Sequence, residues 1–116
     1  MDTSTRRAVA VLAGSLITGR RPRTIYDHDE LHFAPFGGTV DGGRAEVVDL
    51  ETSATLVGKR HSFFNSATGA YLRLEVDGRR FRGVDHASGH AFSGTVEARR
   101  LEVYDAGTGG TFRYSL

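Results

Sequence analysis

A short unit recurs along this sequence and is clearest in its last two copies, 80–96 and 100–116. Each copy has an alternating apolar and polar run, an Asp, a small polar turn near a Gly, and a second alternating run with Phe at the same offset. The turn-opening positions lie 16 to 22 residues apart. A period of this length marks a repeat built from one supersecondary unit. We place the five openings at Asp27, Asp49 (the weakest copy), Asn65, Asp85 and Asp105.

Turn chemistry explains the acidic residue in each copy. An Asp or Asn side chain can accept hydrogen bonds from backbone N–H groups two or three residues ahead. The small residue that closes the turn tolerates a positive φ. We therefore interpret these side chains as turn-forming groups and not as catalytic or metal-binding carboxylates.

The loop length also predicts the register of each hairpin. In the last copy, Val103 should pair with Phe112 and Leu101 with Tyr114, so these four side chains share one face. A slip of one residue would move every Phe into water, which makes this register strongly specified. The same count places further apolar side chains on the buried face: Phe63, Leu72, Leu74, Val76, Phe81, Phe92 and Val96.

Residues 1–19 differ from the rest, because their apolar residues recur at helical spacing. Asp2, Thr3, Ser4 and Thr5 are candidate N-caps, and Gly19 is a candidate stop. We predict an amphipathic helix over about 4–18, packed on the sheet or plugging one end of it. Its apolar stripe consists of Val9, Leu12, Ala13, Leu16 and Ile17.

A signal peptide is the competing interpretation of this segment, with Arg6 and Arg7 before the apolar stretch Ala8 to Leu12. That stretch is shorter than the roughly 7–15 residues of a usual signal-peptide core. The helix is therefore favoured, and with it a cytoplasmic location over a secreted one.

The chain of 116 residues is expected to form a single domain of mainly β structure. Residues 20–116 hold five hairpins with up to ten short strands. We predict an antiparallel meander that closes, or nearly closes, into a barrel, since an open meander this long would expose two edges. The first hairpin, 24–40, is two residues longer, and its Pro35 and Gly37-Gly38 indicate a bulge or an edge position.

Composition narrows the classes of function. The net charge is +1, with 15 basic and 14 acidic residues. This balance gives no electrostatic drive toward nucleic acid or an anionic membrane, so neither is an expected partner. The absence of Cys excludes disulfides and thiol chemistry. No apolar run is long enough to span a bilayer.

Histidines recur in two copies, as His28 and His32 after Asp27 and as His86 and His90 after Asp85. If the two turns met at one end of the barrel, these imidazoles could bind a first-row metal ion. The alternative is that a duplicated hairpin carried its histidines along on exposed turns. That alternative is favoured, because neither spacing is a recognised ligand motif.

Residues just before the turns should lie on the face opposite the core and form a second apolar belt. A closed barrel buries only its inner face, so an outer belt could contact a partner. The candidate binding residues in this belt are Tyr26, Phe33, Phe64, Tyr71 and Tyr104.

Four short strings carry a resemblance to known proteins. They are Arg20-Arg-Pro-Arg-Thr-Ile-Tyr-Asp27, Phe92-Ser-Gly-Thr-Val96, Val103-Tyr-Asp105 and Phe112-Arg-Tyr-Ser-Leu116. The chain resembles small bacterial proteins built from repeated Tyr-Asp-x-x-x-Gly-x-x-Phe hairpins. This resemblance implies the hairpin architecture and a bacterial origin. Those proteins have no assigned activity, so it implies no mechanism.

The functional expectation is a non-enzymatic binding or structural module, without a cofactor, that contacts a protein partner or a second copy of itself. One alternative is a carrier that holds a small apolar ligand inside the barrel. Another is a metal-binding protein that uses His28, His32, His86 and His90.

Overall fold

The computed structural model describes residues 1–116 and contains one helix and eleven strands. The helix α1 spans Thr3–Thr18. The first strands are β1 (Ile25–Asp27), β2 (His32–Ala34), β3 (Phe36–Asp41), β4 (Arg44–Asp49) and β5 (Thr55–Lys59). The remaining strands are β6 (Ser62–Asn65), β7 (Ala70–Asp77), β8 (Arg80–Asp85), β9 (His90–Glu97), β10 (Arg100–Asp105) and β11 (Gly110–Ser115).

The strands form one antiparallel sheet that is nearly closed into a barrel. Their order is β2-β1-β11-β10-β9-β8-β7-β6-β5-β4-β3, so β2 and β3 flank the single seam. These two strands are consecutive in the chain and are joined through Pro35. At this residue the chain stops pairing with β1 and starts pairing with β4. The irregularity predicted at Pro35 therefore lies at the seam, and the predicted meander barrel is confirmed. It has eleven strands where up to ten were predicted, because the break at Pro35 divides the second arm of the first hairpin into β2 and β3.

The register of the hairpins follows the predicted loop lengths. Val103 pairs with Phe112 and Leu101 with Tyr114 across β10 and β11. Arg113 Nε donates to Glu102 Oε1 at 3.2 Å on the outer face. The predicted inward set is buried, including Phe63, Leu72, Leu74, Phe81, Phe92 and Val96. The exceptions are Val76, which is 40% exposed, and Phe112, which is half-buried.

The two ends of the barrel have different turns. At one end, five longer loops follow Asp27, Asp49, Asn65, Asp85 and Asp105; we call this the aspartate end. At the other end, four two-residue loops join the strands, namely Gly42-Gly43, Arg60-His61, Gly78-Arg79 and Ala98-Arg99; we call this the arginine end.

Helix α1 lies inside the barrel, and its middle is buried on all sides. Asp2 caps its N-terminus by accepting the Thr5 N–H at 2.7 Å, and Gly19 ends it in the left-handed region with φ 71°. The expectation of a one-sided apolar stripe is wrong, because all seven residues from Val9 to Ser15 are buried. The small side chains in this run let strands approach from every direction. The helix is not long and apolar enough to cross a membrane.

Glycines on the inner face allow strands and aromatic rings to approach closely. Gly83 lies against the Phe92 ring, and Gly94 lies against the Phe81 ring. A Cβ atom at either glycine would collide with a backbone carbonyl of the neighbouring strand. Glycine therefore permits the strong curvature that a small barrel needs at these positions.

Candidate functional site

Five turn-opening side chains form a buried polar ring at the aspartate end. Each is no more than 5% exposed, although the loops around them are exposed. In every copy, one side-chain oxygen accepts the backbone N–H two residues ahead, at 2.9 to 3.1 Å. The predicted turn-forming role is confirmed by these bonds.

The polar ring also attaches the barrel to the first turns of α1, a role that sequence reasoning missed. In four of the five copies, the side-chain atom not used by the turn faces a group near the helix N-terminus. The exception is Asp85, whose second oxygen accepts the Ser88 hydroxyl of its own loop at 3.2 Å. Three of the four helix bonds are Arg7 Nε to Asp27 (2.9 Å), Ser4 Oγ to Asp49 (3.1 Å) and Asn65 Nδ2 to Thr5 Oγ1 (3.3 Å).

Asp105 makes the strongest of these attachments. Its Oδ2 lies 2.9 Å from the Met1 ammonium and 3.3 Å from Arg6 Nη1. Burial alone would raise the pKa of Asp105, but hydrogen bonds from Met1, Gly107 and Arg6 and the Met1 charge hold it below its usual value. The Arg6 guanidinium also lies 3.7 Å from the centre of the Phe112 ring, a cation–π contact. The polar ring at the aspartate end is thus a structural clamp between the barrel and the helix.

Tyr114 lies beneath the polar ring, and its hydroxyl stays protonated at neutral pH. It is 2% exposed and pairs in register with Asp27. Burial and the Asp27 charge both raise the pKa of Tyr114. Its hydroxyl is therefore a poor general base or acid near pH 7.

An outer groove runs over the solvent-facing side of β7 to β10. Ala91 and Ser93 form its floor together with the backbone of the inward-facing Gly83, while Tyr104 stands on one side. The cavity near Tyr104 has a volume of about 450 Å³. A second cavity of about 530 Å³ continues the groove toward the arginine end and shares Glu75, Arg82 and Ser93 with the first.

Charged side chains of both signs form the other wall of the outer groove. Glu75 Oε1 accepts a hydrogen bond from Arg73 Nη2 at 2.6 Å, and this bond lowers the pKa of Glu75. Arg82 lies 3.5 Å from Glu75 and is 81% exposed at its side chain. The groove therefore offers apolar contact on its floor and side-chain donors and acceptors along one edge.

The predicted outer belt is divided into separate groups. Phe64 and Tyr71 pair across β6 and β7 with ring centres 5.2 Å apart. Tyr26 and Phe33 pair across β1 and β2 at 4.7 Å. Tyr104 stands apart from both pairs, on the edge of the outer groove. Phe33, Phe64, Tyr71 and Tyr104 are all more than one-third exposed, and Tyr26 is half-buried.

The four candidate metal ligands lie in two separated hairpins. β10 and β11 lie between the hairpin of His28 and His32 and that of His86 and His90. His32 Nε2 contacts Glu51 at 2.8 Å, while His86 and His90 are exposed. No group of three or more His, Cys, Asp or Glu side chains is placed to hold a metal ion. The geometry gives the metal hypothesis no support.

A serine–histidine contact is present that the sequence pattern did not predict. His28 Nε2 lies 2.6 Å from Ser115 Oγ. An activated nucleophile usually needs a third group that orients the base, and no side chain hydrogen-bonds the other ring nitrogen of His28. The contact connects the first turn to β11 and does not form a triad.

Comparison with protein-family models, with curated proteins and with solved structures gives no match to this chain. Its function is therefore inferred from the groove, the exposed aromatic residues and the distribution of charge.

Proposed function

We propose that this protein is a non-enzymatic binding module and that its outer groove binds a short extended peptide segment of a protein partner. The observation that carries the proposal is a groove floored by small residues between Tyr104 and the Arg73–Glu75–Arg82 group. Tyrosine and arginine are the side chains most often dominant in protein recognition. The groove crosses the outward residues of β8 and β9, so an extended peptide can follow the strand direction.

The neighbouring aromatic pair extends this proposed surface. Phe64 and Tyr71 lie on the β7 side of the groove, beyond Arg73. They provide apolar area for a partner larger than the peptide itself. The pair Tyr26 and Phe33 lies on the other side of β11 and is a secondary contact area in this proposal.

A carrier function is not favoured by the packing. The interior that would hold an apolar ligand is occupied by α1, whose Val9, Leu12 and Ala13 are 0% exposed. The surrounding strands contribute buried Phe63, Phe81 and Phe92 to the same core. A ligand inside would have to displace the helix.

The test is a peptide-display selection against the immobilised protein, followed by measurement of Kd for the enriched peptides. The groove is blocked with Ser93→Trp, on its floor, and weakened with Tyr104→Ala. The matched control is Thr39→Trp, at an exposed residue of β3 that is distant from the groove. We expect Ser93→Trp to abolish binding and Tyr104→Ala to weaken it about tenfold or more, as for an interface hot spot.

The outcome that contradicts the proposal is equally defined. Enriched peptides that bind wild type, Ser93→Trp and Thr39→Trp equally would place binding elsewhere on the barrel. A selection without enrichment, together with a concentration-dependent dimer in sedimentation, would favour a second copy of the chain as the partner.

A further inference from the structure

The overall charge of +1 conceals a strong separation of charge along the barrel axis. Ten of the fifteen Lys and Arg residues lie at the arginine end, against three acidic residues, Asp41, Asp77 and Glu97. Seven of the ten flank or occupy the two-residue turns: Arg44, Lys59, Arg60, Arg79, Arg80, Arg99 and Arg100. The other three, Arg20, Arg21 and Arg23, lie between α1 and β1.

These ten side chains are free to meet a partner. All ten residues are exposed, and none takes part in an ion pair. By contrast, the other five arginines, Arg6, Arg7, Arg73, Arg82 and Arg113, all contact a carboxylate. The unpaired positive charge is therefore confined to one end of the molecule.

The helix dipole does not account for this arrangement. Positive side chains near a helix C-terminus are stabilising, but the effect falls off within the last turn. It can favour Arg20, just after the helix, yet Arg44, Arg60 and Arg79 belong to hairpin turns around the rim of the barrel. Three of the ten stand opposite an acidic residue in the strand register: Arg44 opposite Asp41, Arg80 opposite Asp77 and Arg100 opposite Glu97. The other seven have no such neighbour, and like charges gathered on one rim are a cost to folding that an anionic partner would remove.

We propose that the arginine end docks on an anionic lipid surface through the phosphate and carboxylate groups of the lipid head groups. The barrel extends 27 to 31 Å along its principal axes, and the basic residues sit on turns that share one end. A plane can contact such a rim at many points together, whereas a nucleic-acid duplex would cross it along one line. Arginine suits phosphate because its planar guanidinium can donate two parallel hydrogen bonds.

The same end lacks the features of other polyanion sites. None of the exposed aromatic residues, Phe33, Phe64, Tyr71 and Tyr104, lies on its turns, so the base stacking that single-stranded nucleic acids need is absent. No exposed aromatic side chain is there to insert into the bilayer. Docking should therefore be electrostatic and reversible.

A cavity within this end marks where one head group can be held. It has a volume of about 430 Å³ and lies between the end of α1 and the turn before β10. Arg20, Arg21, Arg23 and Arg99 line it, together with Ser15 and Thr18. Four guanidinium groups around one opening favour a phosphate-bearing head group over a neutral one.

The test is co-sedimentation with vesicles of phosphatidylcholine alone, or of phosphatidylcholine and phosphatidylserine in equal parts. The test variant is Arg20→Gln/Arg79→Gln/Arg99→Gln. The control variant is Arg73→Gln/Arg82→Gln/Arg113→Gln, which has the same net charge but loses only arginines from the side of the barrel. Each basic residue near an anionic surface contributes a factor of about five to the binding constant.

We expect wild type to bind only the anionic vesicles and to dissociate when added salt shortens the Debye length to about 3 Å. The test variant should bind about a hundredfold more weakly, since three factors of about five multiply, while the control stays within a few-fold of wild type. Equal losses in the two variants, or equal binding to neutral vesicles, would overturn the proposal. Tighter binding to duplex DNA than to vesicles of equal phosphate concentration would also overturn it. Of the ten basic residues at the docking surface, only Arg80 also lines the outer groove, and the test variant leaves it unchanged, so either proposal can fail alone.

Discussion

The polar ring at the aspartate end predicts a large difference between two equivalent aspartates. Asp85 and Asp105 occupy the same position of adjacent repeats, and both are buried. Each accepts the backbone N–H two residues ahead, at 3.1 and 3.0 Å respectively. Only Asp105 also contacts the helix. Replacing each by Asn keeps the turn acceptor and removes the charge, so the pair of variants isolates the contribution of the helix contact.

The expected cost of Asp105→Asn is large. Arg6 is 8% exposed, and its Nε has no hydrogen-bond partner. Removing the carboxylate leaves this guanidinium buried without its counter-charge. Breaking one partner of a buried ion pair costs about 3–5 kcal/mol. Asp85→Asn loses no ion pair and should cost about 1 kcal/mol or less, the size of one exchanged hydrogen bond.

The assay is urea unfolding followed by far-ultraviolet circular dichroism at neutral pH, with the free energy of unfolding taken from the midpoint and slope. A domain of this size is stable by about 5–15 kcal/mol, so the Asp105→Asn midpoint should fall markedly and the Asp85→Asn midpoint hardly at all. Equal losses in the two variants would show that the aspartates act through their turns alone, and would refute the clamp between barrel and helix.

Three further predictions follow from the same structure. The pKa of Asp105 is lowered in the folded state. The stability that Asp105 adds to the fold should therefore be complete above its unfolded pKa of about 3.9 and be lost as the pH falls below that value. Urea midpoints measured from neutral to acidic pH should fall less steeply for Asp105→Asn than for wild type. Ala98 has φ 52° and Gly78 has φ 61° at the same turn position, so Ala98→Gly should raise the free energy of unfolding and Gly78→Ala should lower it, each by about 1 kcal/mol. Gly83→Ala should lower the free energy of unfolding by about 3 kcal/mol or more through strain, because the added Cβ would collide with the backbone. The control Gly37→Ala meets only ordinary contacts and should change the thermal midpoint little.

The repeat made most of the barrel predictable. A period-two pattern with a fixed loop length determines both which face is buried and which residues pair, so the contact of Val103 with Phe112 followed from counting. The Asx side chains that open the turns were interpreted correctly for the same reason, since their bonds are to the nearest backbone groups.

The candidate site was only partly predictable. The exposed aromatic residues followed from strand alternation, but the division of Tyr26, Phe33, Phe64 and Tyr71 into two pairs depends on the order of strands around the barrel. The outer groove needs four strands side by side, with small residues in the middle two. No local sequence pattern predicts that arrangement.

The sequence alone determined the hairpin turns, their registers and the approximate bounds of the helix, because each depends on neighbours within about twenty residues. At Pro35 it predicted only a bulge or an edge position; that the barrel closes there depends on the pairing of β1 with β11, from opposite ends of the sequence. Tertiary structure decided what lies inside the barrel. The helix pattern was compatible with packing on one face of the sheet, yet Val9 to Ser15 are surrounded by strands. In four of the turn-opening side chains, the polar atom that the turn does not use bonds a group near the helix N-terminus, across up to 104 residues of chain. Charge balance was likewise a property of the sequence, whereas charge separation arose only when alternate turns were brought to opposite ends of the barrel.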